Sequence, residues 1–209
     1  MNRVRGRQLA QGLAGFEVTD EDHLRAQWYV LLARLLSAPP DQALLTTVRG
    51  LTGDDSELGQ VIRTLAAAAR ATTPAAVREE HFSLFVGVGR GELLPFASYY
   101  LTGFLNEKPL ARLRGDMSDL GIARADDMKE PEDHIASLCE MMAGLITGAF
   151  GAPVDLPQQR LFFATHIACW APRFFADLQA AKTAAFYMPV GAIGSVFMSI
   201  EGQAFEMAA

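Results

Sequence analysis

The run Glu130-Pro131-Glu132-Asp133-His134 is the densest polar feature beside an apolar segment. Its carboxylates could accept bidentate hydrogen bonds from an arginine, with His134 packing or donating beside them. Proline disfavours helix before it and suits the first helical position, so the sequence predicts a helix that begins at Pro131. Asp133 is then expected in the first turn, near the free backbone N–H groups, and His134 on an adjoining face. The alternative interpretation is an ordinary acidic helix start.

An enzymatic site is a second interpretation of the same residues. Asp133 and His134 could activate a serine such as Ser83 or Ser98 for acyl transfer, provided that the serine hydroxyl lies within hydrogen-bonding distance of the imidazole. The glycines of the 87–91 loop resemble part of a nucleotide loop. A helix is expected before them rather than a strand, and the Lys-Ser/Thr pair of a P-loop is absent. The HExxH and GxSxG motifs are absent from the sequence as well.

A metal site is a weaker alternative. His166 and Cys169 are three residues apart and could share a helix face, and His134 and Cys139 could contribute further ligands. These spacings match no structural zinc pattern, and buried thiols are common. We therefore predict no metal site and expect both cysteines to lie in the core.

Helical spacing of apolar residues dominates the chain and must position these groups. The first helix is expected to bury a stripe of Leu24, Trp28, Leu31, Leu32 and Leu35. Residues 87–98 show neither helical nor alternating periodicity and are predicted to be a loop. No segment alternates like a strand, so the sequence predicts an all-α fold of eight to ten helices. Candidate helix starts are Thr19-Asp20, Asp41, the acidic run 54–57, Thr73-Pro74, Pro109, Pro131, Pro157 and Pro189, with a break at Pro172.

Composition indicates one globular domain. The chain has 209 residues, of which 50% are hydrophobic and 20% are charged, and its formal net charge is −6. That charge argues against a general binder of nucleic acids or anionic membranes, and no apolar stretch reaches the roughly 18 residues of a membrane span. No signal-peptide core is found, so a cytoplasmic protein is expected. We expect a flexible tail over 1–18 and a helical domain over 19–209. A hinge at 121–130 would allow either a monomer or a domain-swapped dimer.

Three separated motifs carry a family resemblance. The run 130–134 matches the E-P-x-D-H signature of the TorD/DmsD/NarJ family of redox-enzyme maturation proteins. Residues 81–87 and 94–100 resemble the family's aromatic-x-x-L-F stretch and its proline-aromatic loop, although His81 stands where an aromatic residue is frequent. Residues 166–174 resemble its H-x-x-x-W-x-P-x-F region. The resemblance spans roughly residues 24–205, and the common order of the motifs is more specific than any one of them.

This resemblance implies a cytoplasmic, all-helical, single-bundle chaperone without enzymatic activity. Such proteins bind the twin-arginine leader of an apo molybdopterin oxidoreductase and delay export until the cofactor is inserted. The resemblance implies no cofactor of the chaperone's own, while contact with GTP or molybdopterin is compatible with it. Clients related to formate dehydrogenase or dimethyl sulfoxide reductase fit best. A helical adaptor without a peptide pocket is the other alternative. The residues expected to bind the leader are Leu84, Phe85, Pro95, Phe96, Tyr99, Tyr100, Glu130, Pro131, Asp133 and His134.

Overall fold

The computed structural model describes residues 18–124 and 130–208. In those residues it contains ten α-helices and two π-helical segments and no β-strand, so the predicted all-α fold is confirmed. Nearly all of the predicted tail and half of the predicted hinge lie outside the described residues. The elements are α1 (Asp20–Ser37), α2 (Gln42–Arg49), α3 (Glu57–Arg70), α4 (Pro74–His81), π1 (Phe82–Val86), α5 (Ala97–Thr102), α6 (Lys108–Asp119), α7 (Ile135–Thr147), α8 (Leu156–Phe162), π2 (Phe163–Ala168), α9 (Ala171–Ala180) and α10 (Tyr187–Met207).

Local sequence signals determine where most helices begin. The Thr19 side chain caps α1 by accepting from Asp22 N, and the Asp22 side chain reaches back to Thr19 N, which completes a capping box. Asp41 caps α2, and Thr73 caps α4 ahead of a proline in its first turn. These predicted starts are confirmed. Each cap satisfies a backbone N–H that has no partner inside its helix.

The core is built around α7, which is buried along almost its whole length. Helix α1 packs along α7, and α10 packs against α9 and α3. The predicted stripe of α1 is wrong at Leu24, whose side chain is 59% exposed. The small residues Ala26 and Ala33 are buried instead, and small residues let two helix backbones approach closely. Cys139 is buried as expected, whereas Cys169 is exposed.

A buried ionic group joins α1 to α10. Glu201 accepts two hydrogen bonds from the Arg25 guanidinium, at 2.8 Å from Nε and 2.9 Å from Nη2. The Tyr29 hydroxyl donates to the same carboxylate at 3.0 Å. Burial and the nearby Glu201 carboxylate raise the pKa of Tyr29 well above its ordinary value. The carboxylate therefore has partners from two positions of α1 and can remain buried.

The segment predicted as a loop over 87–98 is helical at its end, because α5 begins at Ala97. No side chain of its own caps this short helix, and the residue before it is Phe96. None of the helices in the described ranges is both long enough and apolar enough to cross a membrane.

Candidate functional site

The segments around Phe96 and His134 lie side by side in antiparallel orientation. Ala97 N donates to Asp133 O at 3.0 Å, and Phe96 and His134 form an isolated β-bridge. Their rings meet edge to face with centroids 5.0 Å apart. The proline-aromatic loop and the run 130–134 are therefore one structural unit, although many residues separate them in sequence.

Helix α7 begins at Ile135, so the prediction of a helix from Pro131 is wrong. Pro131 and His134 are joined as a turn, and Ile135 N donates to Pro95 O at 2.9 Å. His134 is the N-cap of α7, with extended backbone and with Nδ1 accepting from Ala136 N at 3.1 Å. The neighbouring segment supplies a hydrogen-bond partner that a first helical turn would not offer, which favours the non-helical backbone here.

Asp133 is 1% exposed and bonds to another part of the chain. Its Oδ2 accepts from Ser98 N at 2.7 Å, in the first turn of α5. The prediction that Asp133 lies in the first turn of its own helix is therefore wrong. Its Oδ1 is buried and has no hydrogen-bond partner among the described residues.

Asp133 also lines a cavity of about 360 Å³ between α5, α6, α7 and π2. The volume is within the range of small ligand sites. Apolar side chains form much of the wall, and cationic side chains of α6 contribute to it. The lining residues are Ala97, Leu101, Thr102, Lys108, Pro109, Arg112, Leu113, Asp133, Leu138, Thr165 and His166.

His134 is a neutral, buried imidazole at neutral pH. Burial lowers its pKa to about 4, and the nearby His81 imidazole adds a smaller lowering effect. Burial also lowers the pKa of His81 to about 4. Because Nδ1 of His134 accepts from Ala136 N, the ring carries its proton on Nε2.

The acidic residues of the run have different surroundings. Glu132 is buried and accepts from Arg114 Nη2 at 2.8 Å, and Arg124 Nη1 lies 3.5 Å from its other oxygen. Burial raises the pKa of Glu132, but the hydrogen bonds from Arg114, a backbone hydrogen bond and the positive charges of Arg114 and Arg124 together outweigh it, and the net pKa is lowered. Glu130 is exposed and Pro131 is half-buried. Glu132 is thus already neutralised within the chain, whereas the Glu130 side chain faces solvent.

The apolar and aromatic residues that the sequence predicted to bind the leader divide into two groups. Leu84, Pro95 and Phe96 are buried in the described structure, and Phe85 is half-buried with its ring 5.3 Å from that of Tyr187. These four residues hold the neighbouring segments in place and offer little surface to a ligand.

Tyr99 and Tyr100 form the second group. Both are half-buried and line another cavity, of about 480 Å³, next to α9. Leu101 and Thr102 line this cavity and the Asp133 cavity alike. Helix α5 therefore separates two openings and contributes side chains to both.

Sequence reasoning assigned no binding role to His166, which the structure places in the wall of the Asp133 cavity. Its Nε2 lies 2.7 Å from Asp116 Oδ2, and its backbone oxygen accepts from Trp170 Nε1 at 2.7 Å. Burial lowers the pKa of His166, and the Asp116 hydrogen bond partly offsets this effect. The H-x-x-x-W spacing was the available signal, because it places these two residues one helical turn apart.

Sequence reasoning also gave no role to Leu101 and Arg112. Both line the Asp133 cavity, Arg112 one turn after Lys108 on α6. The cavity wall is formed by α5, α6, α7, π2 and the turn that carries Asp133. Such a wall has no sequence period of its own, so no sequence signal identified these two residues.

The catalytic interpretation finds no matching geometry in the described residues. Ser83 Oγ donates to Glu79 O at 2.9 Å, and Ser98 Oγ is buried without a partner. Neither hydroxyl is hydrogen bonded to His134, whose Nδ1 is already used by a backbone N–H. Over residues 18–124 and 130–208, no three His, Cys, Asp or Glu side chains are grouped closely enough to hold a metal ion.

Comparison with known proteins gives consistent matches. Residues 51–176 match the family described as nitrate reductase delta subunit. The chain is 27% identical over 128 residues to the chaperone protein TorD of Vibrio atlanticus, covering 57% of this chain and 60% of that one. It is 33% identical over 113 residues to TorD of Photobacterium profundum, covering 50% and 52%. The chain thus spans little more than half the length of these two relatives.

A longer match is to TorD of Salmonella bongori, at 30% identity over 167 residues, which covers 78% of this chain and 74% of that one. A solved structure of a candidate redox enzyme maturation protein from Archaeoglobus fulgidus is 18% identical with a TM-score of 0.49, covering 88% and 96%. On the match over residues 51–176 and the Salmonella relative, the chain belongs to the family of nitrate reductase delta subunits and TorD chaperones.

Proposed function

We propose that this chain is a cytoplasmic maturation chaperone that binds the twin-arginine leader of an apo molybdopterin oxidoreductase and delays export until the cofactor is inserted. The family membership and the chaperone names of the relatives support this proposal. The observation that carries it is that Asp133 lines a cavity and that its buried Oδ1 has no hydrogen-bond partner among the described residues.

A buried carboxylate oxygen without a partner has lost its hydrogen bonds to water. The guanidinium of a leader arginine can restore them, and the bond would be charge-assisted. Arg112 and Lys108 also line this cavity, and Arg112 Nε lies 4.0 Å from Asp116. Their positive charge repels a second guanidinium, so the cavity is expected to take one arginine. The second arginine then belongs outside, where Glu130 is the exposed acidic residue of the run.

The apolar part of a leader has its own surface beside the cavity. Leu101, Phe104 and Leu105 are 45%, 70% and 41% exposed. Gly103 and Asn106 have φ of 85° and 59°, and these left-handed conformations turn the chain sharply on both sides of Phe104 and Leu105. Apolar residues exposed together commonly mark a binding surface, and an amphipathic helix can lie against them.

In this proposal the residues that the sequence predicted to bind the leader have two roles. Tyr99 and Tyr100 contact the leader, since they are accessible at the edge of α5. Leu84, Phe85, Pro95, Phe96 and His134 position α5 and the 130–134 run against each other. The peptide thus crosses α5 near Leu101, which lines both cavities.

Calorimetric titration with synthetic leaders of formate dehydrogenase and dimethyl sulfoxide reductase type tests this function. The informative variant is Asp133→Asn, because the amide oxygen can still accept from Ser98 N while its NH₂ group presents donors to the cavity. Binding should weaken by about ten-fold or more, as expected for loss of a charge-assisted bond.

Asp155→Asn is the matched control. Asp155 also accepts a backbone N–H at a helix start, from Gln158 N at 3.0 Å, but it lies outside the lining of the Asp133 cavity. Its variant should bind like the wild type, and a leader with two lysines should bind more weakly because lysine cannot bond bidentately. Failure of every leader to bind would contradict the proposal and favour an adaptor without a peptide pocket. Equal binding by both Asn variants would show that Asp133 does not bind the leader.

A further inference from the structure

The cavity on the α9 side of α5 has a chemistry different from that of the Asp133 cavity. It is about 480 Å³ in volume and is lined by more polar than apolar surface. Side chains from the glycine-rich loop, α5 and α9 meet there. The lining residues are Arg90, Glu92, Leu93, Leu94, Tyr99, Tyr100, Leu101, Thr102, Gly103, Arg173 and Asp177.

Two arginines of this cavity are held against tyrosine rings. The Arg90 guanidinium carbon lies 5.1 Å from the Tyr99 ring centroid, and Arg90 Nη2 donates to the Tyr99 hydroxyl at 2.5 Å. The Arg173 guanidinium carbon lies 6.0 Å from the Tyr100 ring centroid. Contact with an aromatic face restricts a guanidinium and leaves N–H groups at its edge free to donate.

The two carboxylates that line the cavity are hydrogen bonded to groups other than the arginines. Glu92 accepts from Lys182 N at 2.7 Å and from Thr183 Oγ1 at 2.8 Å. Asp177 accepts from the Tyr100 hydroxyl at 3.0 Å. Within the described part of the chain, no carboxylate oxygen lies within 4.0 Å of a guanidinium nitrogen of Arg90 or Arg173, so both arginines lack an ionic partner.

The loop that carries Arg90 is fixed in place. Leu93 N donates to Leu84 O at 2.8 Å, and Glu92 joins the loop to the α9–α10 connection. At Gly91 an added Cβ would lie 2.5 Å from Phe85 C, so only glycine permits this approach. Because the loop is already ordered, a ligand that binds Arg90 would not lose binding free energy to ordering the loop.

We propose that this cavity is a binding site for an oxyanion, a phosphoryl or carboxylate group that accepts hydrogen bonds from Arg90 and Arg173 together. Both arginines line one cavity, and among the described residues neither is paired with a carboxylate. Guanidinium groups bond such anions in planar, bidentate geometry, and the tyrosine rings can cover the attached organic part. Arg90 and Arg173 lie outside the lining of the Asp133 cavity. The site shares Tyr99, Tyr100 and Leu101 with the surface proposed for the leader.

Calorimetric titration of the full chain with inorganic pyrophosphate and with a tetraglutamate peptide tests this site. We expect saturable binding of at least one probe, and binding should weaken as salt is added. Arg90→Gln and Arg173→Gln should each weaken it about ten-fold or more, and Arg90→Lys should weaken it less, since it keeps the charge but loses the fork. Circular dichroism confirms that each variant is folded.

Arg34→Gln is the matched control, because Arg34 is exposed on α1 and lies outside this cavity. It should bind the probes like the wild type. Preference for pyrophosphate would identify a phosphorylated ligand, and preference for the peptide would identify an acidic protein segment. Absence of binding by both probes, or equal weakening by all three Gln variants, would overturn the proposal.

Discussion

At the scale of single residues, the two oxygens of Asp133 have different surroundings. Oδ2 accepts from Ser98 N, which is 35 residues earlier in the chain, and Oδ1 has no described partner. The sequence identified Asp133 as a candidate because it lies in a dense polar run that matches the E-P-x-D-H signature. It could not reveal the partner, because a hydrogen bond over that separation leaves no local pattern.

The buried histidines predict how stability depends on pH. The pKa of His81 and of His134 is about 4 in the folded chain, and an unfolded histidine titrates near 6.5. Between these values the unfolded state binds more protons than the folded state. Stability should therefore fall as pH decreases from about 6.5 to 4, by up to about 1.4 kcal/mol per pH unit for each histidine. Urea unfolding at a series of pH values measures this slope.

His134→Asn isolates the contribution of one of the two histidines. Asparagine is a good N-cap residue, so it can still accept from Ala136 N while removing the titrating group. The variant should lose less stability than the wild type between pH 6.5 and 4. Parallel curves for the two proteins would show that His134 is not neutral and buried as described.

At the scale of elements, several of the helix starts that the sequence predicted have a local cap. Thr19, Asp41 and Thr73 lie immediately before their helices, so short-range residue types were sufficient. Helix α5 was missed because its N-terminal N–H bonds to Asp133 from a distant segment. The start of α7 was misplaced because pairing with the 95–97 segment outweighed the preference of Pro131 for a first helical position.

The π segments were also missed, since their apolar residues fit a helical pattern. Segment π1 continues α4 and π2 continues α8, so each is a wider turn at the end of an α-helix. One extra residue in a turn hardly changes the spacing of apolar side chains, and sequence periodicity cannot distinguish it.

Two glycine substitutions should have opposite effects on stability. Gly91→Ala places a Cβ 2.5 Å from Phe85 C, and relieving that overlap should cost about 1–3 kcal/mol. Gly115 lies within α6 with open space around it, so Gly115→Ala should stabilise the chain by about 0.5–1 kcal/mol. Thermal unfolding of both variants tests this difference in sign, and destabilisation by both would contradict the packing described.

At the scale of the whole molecule, the Arg25–Glu201 pair connects the first and last helices of the described chain. Glu201→Ala removes the carboxylate from the Arg25 guanidinium and the Tyr29 hydroxyl, while Arg25 keeps its ion pair with Asp22. The loss should cost about 1.5–3 kcal/mol of unfolding free energy. Glu206→Ala, at an exposed position of the same helix, should change stability by no more than about 0.5 kcal/mol. Equal urea midpoints for the two variants would show that the pair contributes little.

The fold as a whole was predictable because helical apolar spacing recurs along the chain. The candidate site was predictable only as a set of residues. Its cavity is formed by side chains of α5, α6, α7 and π2, and the accessible apolar residues Phe104 and Leu105 lie outside every motif that the sequence offered. The motifs determine how the segments pair, and the accessible surface beside them lies outside the motifs.

The central claim is that the free oxygen of Asp133 receives a leader arginine. A crystal structure of the chain with a bound twin-arginine leader tests it most directly. We expect a guanidinium nitrogen within about 3.2 Å of Asp133 Oδ1, with the apolar part of the peptide covering Leu101, Phe104 and Leu105. A leader bound elsewhere, with Oδ1 still unpaired and these three residues still exposed, would contradict the account.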